Sequence, residues 1–330
     1  MNFRQIYNIL KLVCLCMLPF LGACTNHDMP DGGEDTDSPI SFQSTVKGSR
    51  SLIDNEYAMI DSVGAFKVWG WRTPMGGSIT NVFQGEKVYH NGTSWAYDNT
   101  RYWANQSTYN FFALYPYDIP EANCDAEGKL SFGLVDMRQS NEYNSALSVD
   151  LLRAEVKDMI GSATSEDVYL KFTHMLTKLN FSFKIDARNI DDQMEVTYIL
   201  LNGMNCVGSM ENDNWILSEP SYYWDRLERP QQLNATDYSP CFKDILVFPQ
   251  TIGEGQITLY VVYNYTIKGS DKPITKILET TLPVDVVSRW EAGSELNYTG
   301  EIHVDNTITF NTPQVESWGT EQVGGTVVIK

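Results

Sequence analysis

Apolar residues recur at every second position along most of this chain, the spacing of a half-buried β-strand. Ile40, Phe42, Ser44 and Val46 share one face of a first strand, and Val63 to Trp71 form a second. Lys87 to His90 and Thr93 to Trp95 flank Asn91-Gly92, a dipeptide that tolerates the positive φ angles of a type I′ hairpin turn. Tyr109 to Tyr115 is an aromatic run that stops at Pro116. Val168, Leu170, Phe172, His174 and Leu176 then alternate in one register, and Leu179, Phe181, Phe183 and Ile185 in the other. A one-residue slip sends every side chain to the opposite face, so the chain must bulge or break at 176–178. Asp191-Asp192 reads as a turn that brings Val196–Leu201 back to pair on Phe181–Ile185. Further on, Ile257, Leu259, Val261, Tyr263 and Tyr265 share one face of a long strand. The segment 268–273 turns it into Ile274–Thr281, and Ile302–Phe310 and Thr326–Ile329 read as closing strands. No stretch holds a helical period. Short strands separated by turn residues predict an all-β chain of two β-sandwich domains, 39–175 and 176–330.

The N-terminus departs from this pattern. Leu12 to Leu21 is an apolar run behind Arg4 and Lys11, of about the length of a signal-peptide core and half that of a membrane span. It closes on Leu21-Gly22-Ala23-Cys24, which resembles the lipobox of a bacterial lipoprotein. That resemblance implies a signal peptide over 1–23 and an acyl chain on Cys24. No later segment is apolar for long enough to span a bilayer, so the predicted membrane attachment is by lipid. Residues 24–38 are polar and acidic, which predicts a disordered tether.

The 330-residue chain carries a formal net charge of -18. Arg4 and Lys11 are the only charges in the signal, so the exported chain is more acidic still. Such a chain does not attract nucleic acid or anionic lipid through a general field. With 18 Tyr, 14 Phe and 8 Trp, its apolar residues suit strands better than helices. Beyond Cys24, the thiols Cys124, Cys206 and Cys241 are odd in number and lack CxxC spacing. Buried free thiols fit this better than a disulfide framework or metal site, with one bridge left open.

Four segments together resemble the fimbrillin family of Bacteroidales, the FimA/Mfa-like pilus subunits. They are Trp95–Pro116 with its Tyr109-Asn110-Phe111-Phe112-Ala113-Leu114-Tyr115-Pro116 run, Leu170–Leu179, Phe248-Pro249-Gln250, and Trp290-Glu291-Ala292-Gly293 closing with Asn297-Tyr298. The resemblance implies two transthyretin-like β-sandwiches in tandem and passage to the outer membrane as a lipoprotein. It implies an arginine-specific maturation protease that cuts after an arginine behind the first strand. Arg50 stands there, with Lys47 and Arg72 as alternatives. It further implies that removing the strand opens a groove, which a strand of the next subunit fills. The C-terminal region 302–330 is the implied donor, with Val315, Trp318, Val327 and Ile329 as its groove-filling candidates. The implied partners are other fimbrial subunits and a host or glycan receptor.

Chemistry for catalysis is absent from the pattern. His27, His90, His174 and His303 are scattered, with His174 read as a hydrogen-bonded core or boundary residue. No metal spacing, phosphate loop or nucleophile elbow occurs. Asp191-Asp192 and Glu291 with Glu295 read as solvated carboxylates. The expectation is a non-enzymatic surface subunit without cofactor. A tip or anchor subunit that does not polymerise, or a carbohydrate-binding lipoprotein using Tyr222-Tyr223-Trp224, stays open as an alternative. A glycosidase would need a carboxylate pair that the sequence does not locate.

Overall fold

The structure, a computed structural model, describes residues 35–46, 55–139, 150–189 and 191–318. Its first part contains β1 (Asp35–Pro39), β2 (Phe42–Val46), α1 (Glu56–Ser62), β3 (Ala65–Pro74), β4 (Thr80–His90), β5 (Trp95–Ala96), β6 (Tyr102–Ala104), β7 (Ser107–Tyr115), β8 (Asn123–Cys124), β9 (Leu130–Asp136), β10 (Leu152–Ile160) and β11 (Val168–His174). The second part contains β12 (Thr177–Ile185), β13 (Gln193–Glu211), β14 (Asn214–Leu233), β15 (Ser239–Val247), β16 (Gln250–Thr251), β17 (Thr258–Thr266), β18 (Ile274–Thr281), β19 (Arg289–Trp290), β20 (Ser294–Ile302), β21 (Ile308–Phe310) and β22 (Gln314–Ser317). The all-β class read from alternation is what the chain adopts.

The first sheet runs β2-β11-β10-β7-β3-β4-β5, and only its β2–β11 pair is parallel. It curls around its own core. Phe42, on the edge strand β2, meets Phe83 of β4 at 5.3 Å and Phe111 of β7 at 5.8 Å, contacts that a flat sheet of this order would not allow. The 91–94 segment differs from the expected type I′ turn. His90 pairs with Trp95 across a four-residue loop, and the Asn91 carboxamide oxygen accepts from the Thr93 and Ser94 amides. An Asx turn has replaced the two-residue solution. The tether expectation is also corrected at its end. Asp35 and Pro39 pair with Ala104 and Tyr102 of β6, because backbone pairing to a free edge needs no apolar side chain.

The second part is a sandwich. One sheet runs β15-β12-β20-β21, with β22 also on β20, and the other runs β18-β17-β13-β9-β8, with β14 also on β13. Phe181, Phe183 and Tyr298 of the first face Val196, Ile199 and Tyr263 of the second in one buried cluster. β12 and β13 therefore lie across the core from each other instead of pairing, which overturns the expected return of Val196–Leu201 onto Phe181–Ile185. The edges of β12 are taken by β15 and, in parallel, by β20. The residues on its face turned away from the sandwich core select that partner. Lys178 meets Glu295 and Lys184 meets Glu301, each at 2.8 Å, while Asn180 bonds Glu295 and Asn297. Ile302–Phe310 is likewise two strands. Ile302 ends β20, Asp305-Asn306 turns, and Ile308 pairs back on Ile302.

A long hairpin joins the two parts. β13 carries β14 along one edge and, along the other, first β17 and then β9. Its turn, Asn212-Asp213, has positive φ at both residues, the type I′ geometry expected earlier at Asn91-Gly92. Asp213 takes the Arg153 guanidinium at 2.7 Å and the Leu130 amide at 3.0 Å. A third core lies at this junction, with Trp69, Phe112 and Leu114 from the first part and Met210, Phe248 and Trp318 from the second. Cys124, Cys206 and Cys241 are free and buried, and burial pushes their thiols up to about 12, about 11 and about 12.

β13 changes partner at Gly203. Its φ is 100°, and a Cβ there would stand 2.1 Å from the Gln256 carbonyl oxygen. Gly203→Ala is expected to lower unfolding free energy by more than about 2 kcal/mol. Chemical denaturation checks this, and an unchanged midpoint would contradict it.

Candidate functional site: an edge strand and the groove it fills

β2 is five residues long, ends the first sheet, and is followed by the segment that contains Arg50. Its alternation decides what it buries. Phe42 and Ser44 point inward with Ile40 just ahead of them, and Gln43 and Thr45 point out. Phe42 enters an aromatic pocket of Phe83, Tyr97 and Phe111, with centroids between 5.3 and 5.8 Å. The pairs Val168↔Phe42 through Phe172↔Val46 complete the edge of β11.

Polar contacts hold the strand at both ends. The Ile40 amide donates to the Arg101 carbonyl at 2.8 Å, and the Tyr97 hydroxyl donates to the Ile40 carbonyl at 2.7 Å. Glu56, in the first turn of α1, accepts from the Ser44 hydroxyl at 3.0 Å and from the Trp95 indole at 2.9 Å. Gln43 bonds Asp167 at 2.6 Å. Sequence reasoning missed Glu56 and Tyr97, because α1 is too short for a helical period and the clamp joins residues far apart in the chain. The one local signal for α1 is Asn55, whose side chain caps it at the Ala58 amide.

Without β1 and β2, the β11 backbone from Val168 to Phe172 would be unpaired and the pocket around Phe42 open. An apolar trough beside an unpaired edge accepts an extended strand with alternating apolar residues.

The other end of the chain folds back on itself. β22 pairs with β20 through Leu296↔Val315 and Ser294↔Ser317, and the Val315 side chain is exposed. Trp318 is buried. Its amide donates to the Gly293 carbonyl at 2.7 Å, and its indole stacks on His174 with centroids 3.6 Å apart and planes at 6°. His174 is the hydrogen-bonded core residue anticipated, its Nδ1 3.1 Å from Asp150. Cys24, Lys47, Arg50, Val327 and Ile329 lie outside the described residues. Arg72 is buried inside β3, its Nε bonded to Ser107 at 3.1 Å, so a protease does not reach it in the folded chain. The turn carboxylates are engaged structurally: Asp191 with Lys268, Asp192 with the Tyr265 hydroxyl, and Glu291 with Arg289. Among the described residues no group of three His, Cys, Asp or Glu could hold a metal ion, and no helix is long and apolar enough to cross a membrane.

Three of the four segments that carried the sequence resemblance meet at the start of β12. The Leu176 carbonyl accepts from the Gly293 amide at 2.8 Å, Thr177 bonds the Glu291 carbonyl, Gln250 pairs with Trp290, and the Trp290 indole donates to the Tyr298 hydroxyl at 3.0 Å. The profile of the fimbrillin-like family matches residues 50–318. The chain belongs to the fimbrillin-like family. β1 and β2 precede the stretch that defines this fimbrillin as a member, and residues 319–330 follow it. The fimbrium subunit Fim1C of Phocaeicola vulgatus is 22% identical over 244 residues, 66% of this fimbrillin and 64% of that protein. The aligned stretch thus leaves about a third of that relative uncovered. A fimbrial protein from Bacteroides vulgatus shares the fold, with a TM-score of 0.64, 19% identity, and coverage of 85% of this chain and 99% of that one.

Asp150 is buried, and desolvation pushes its carboxyl above the ordinary 3.8, with the adjacent His174 opposing the rise. A carboxyl raised on folding costs stability at pH above its folded pKa, and the cost fades as pH falls to its unfolded value. Asp150→Asn is therefore expected to raise the melting temperature at pH 7, with the gain shrinking as pH falls toward 4. Melting curves across that range check it, and a gain independent of pH would contradict it.

Proposed function

We propose that this fimbrillin is a structural subunit of a surface fimbria with a role in adhesion, assembled by exchange of the β2 strand for a strand of a neighbouring subunit. The observation that carries the reading is β2 itself. It is an edge strand that completes an aromatic core, and the chain continues from it into the segment containing Arg50. In this scheme the chain reaches the outer membrane as a lipoprotein anchored through Cys24. An arginine-specific protease cuts after Arg50, β1 and β2 are released, and a donor strand pairs with β11. The apolar alternation of Val327 and Ile329 makes the end of the chain the candidate donor. Val315 and Trp318 serve their own subunit as edge strand and core.

Energetics and symmetry favour a filament. Burial of Ile40 and Phe42 stabilises the uncut chain by about 1.5–3 kcal/mol each, and a donor that fills the same sites recovers a similar amount at every joint. A subunit that accepts at one surface and donates from another makes a heterologous contact, which propagates in a line. The role is mechanical, and the reading assigns no enzymatic activity and no cofactor. A tip or anchor subunit would share the groove and differ in being uncut or in donating nothing.

Two experiments test the scheme on the chain from Thr25, which keeps the compact unit beginning at Gly33. Arginine-specific proteolysis is expected to create a new N-terminus at Ser51 and SDS-resistant ladders, both abolished by Arg50→Ala. Ladders from the uncleaved chain would sink the scheme. Phe42→Ala is expected to destabilise the uncut protein by about 3–5 kcal/mol and to speed assembly after cleavage, because the leaving strand is held less tightly. Slower assembly would contradict the role given to β2.

A further inference from the structure

A groove of about 410 Å³ opens between the start of β14 and the β16–β19 pair. Trp215, Leu217 and Pro249 give it apolar surface, and Asn214, Thr251 and Arg289 give it polar surface. Strand exchange assigns these residues no task. A missing side chain shapes the groove. Gly208 pairs with Leu217 across the β13–β14 hairpin, and a Cβ there would stand 2.8 Å from Leu217 and 3.1 Å from the Phe248 ring. Leu217 and Phe248 close over this bare backbone, and the chain after Phe248 runs beside β14 through Pro249 to Thr251.

Trp215 lies two residues before Leu217, on the same face of β14. Its ring itself is held. Phe132 meets it at 5.5 Å with 78° between planes, and Phe248 at 5.1 Å with 56°. Neither neighbour lies parallel to the indole, which stays partly exposed at the groove. A ligand meeting a ring already fixed loses little further conformational entropy.

The charges of the lining are balanced within the protein. Asp213 meets Arg153 at 2.7 Å and Lys129 at 3.2 Å, and Arg289 meets Glu291 at 2.8 Å. Gln250 is committed too, since its Oε1 accepts from the Asn205 amide at 2.9 Å and its Nε2 donates to the Asn205 carbonyl at 3.3 Å. What is left for a ligand is uncharged. Thr251 is exposed and pairs with Arg289, so its hydroxyl shares a face with that side chain. Asn214 spends its Nδ2 on the Asn212 carbonyl at 3.0 Å and keeps Oδ1 as an acceptor. The Trp215 indole N–H adds a donor.

From this geometry we infer that the groove binds a neutral saccharide. The indole face carries negative quadrupole density, which attracts the polarised C–H bonds on one face of a pyranose ring. Sugar hydroxyls both donate and accept, which matches a lining that offers a hydroxyl, a carboxamide oxygen and an indole N–H. An anionic ligand would have to displace Glu291 from Arg289, and a cationic one would have to displace Arg153 and Lys129 from Asp213. The volume falls within the roughly 300–1,000 Å³ of small-molecule sites, enough for one or two sugar rings. The inference gives the adhesive role a ligand class and does not depend on strand exchange.

Isothermal titration of the uncut chain from Thr25 with lactose, maltotriose, mannotriose and 3′-sialyllactose tests this independently of polymerisation. At least one neutral probe is expected to bind with a Kd of about 1 mM or below, and 3′-sialyllactose no more tightly than lactose. Trp215→Ala is expected to weaken the bound probe about tenfold. Because Trp215 also packs on Phe132 and Phe248, Thr251→Trp supplies the second variant. It fills the groove from an exposed position and is expected to abolish binding with the melting temperature unchanged. Absence of binding by every neutral probe at about 10 mM would overturn the inference. Tighter binding of 3′-sialyllactose than of lactose, or affinity unchanged by Thr251→Trp, would overturn it too.

Discussion

The pairing of one short edge strand with β11 is the contact on which the first part of this protein depends. That strand supplies Phe42 to the centre of an aromatic cluster, where it touches side chains of β4 and β7. The curl of the sheet and the occupancy of its core are thus coupled to an element that the chain could lose by a single cut behind it. Most domains place their least replaceable side chains on central strands. Here an edge strand supplies Phe42, and the clamps at Glu56 and Tyr97 keep that strand in place.

The remainder of the architecture is tied together by continuous strand pairing. β13 and β14 run as one hairpin from the second core into the junction, β9 joins the sheet of the second part, and a third core fills the junction. Trp318 closes that junction by stacking on His174 and bonding Gly293. Under the proposed strand exchange, the accepting and donating ends would be connected through this body. Continuous hydrogen-bonded strands, in place of a linker, connect the two parts.

Much of this was legible in the sequence, and the failures have physical reasons. The β17 alternation Leu259, Val261, Tyr263, Tyr265 and the register break between Phe172 and Leu179 follow directly from one buried face per strand, and both stand in the structure. Partner choice did not follow. Phe181 and Val196 carry the same alternation whether they pair side by side or face each other across a core. What separates the two outcomes is the match of Lys178 and Lys184 to Glu295 and Glu301, more than 110 residues away. The turn at Asn212-Asp213 was hidden because Asn91-Gly92 has the stronger local signature, yet the Asn91 side chain prefers to bond Thr93 and Ser94. At the candidate site, the strand Ile40–Val46 was readable from its own pattern. The pocket that receives Phe42 was not, since it assembles from β4, β7 and the loop after β5. Trp318 looked like part of an apolar stripe because sequence spacing does not reveal that a ring faces its own core.

The central claim is that β2 is a replaceable completion of β11. Hydrogen exchange at the amides of Val168–Phe172 tests it most directly, compared between uncut chain, cut chain stripped of residues 25–50 in mild denaturant, and assembled filament. The account predicts strong protection in the first, loss of protection confined to this strand and its aromatic pocket in the second, and recovered protection in the third. Equal protection in all three would show that the β11 edge is closed by something other than an exchangeable strand.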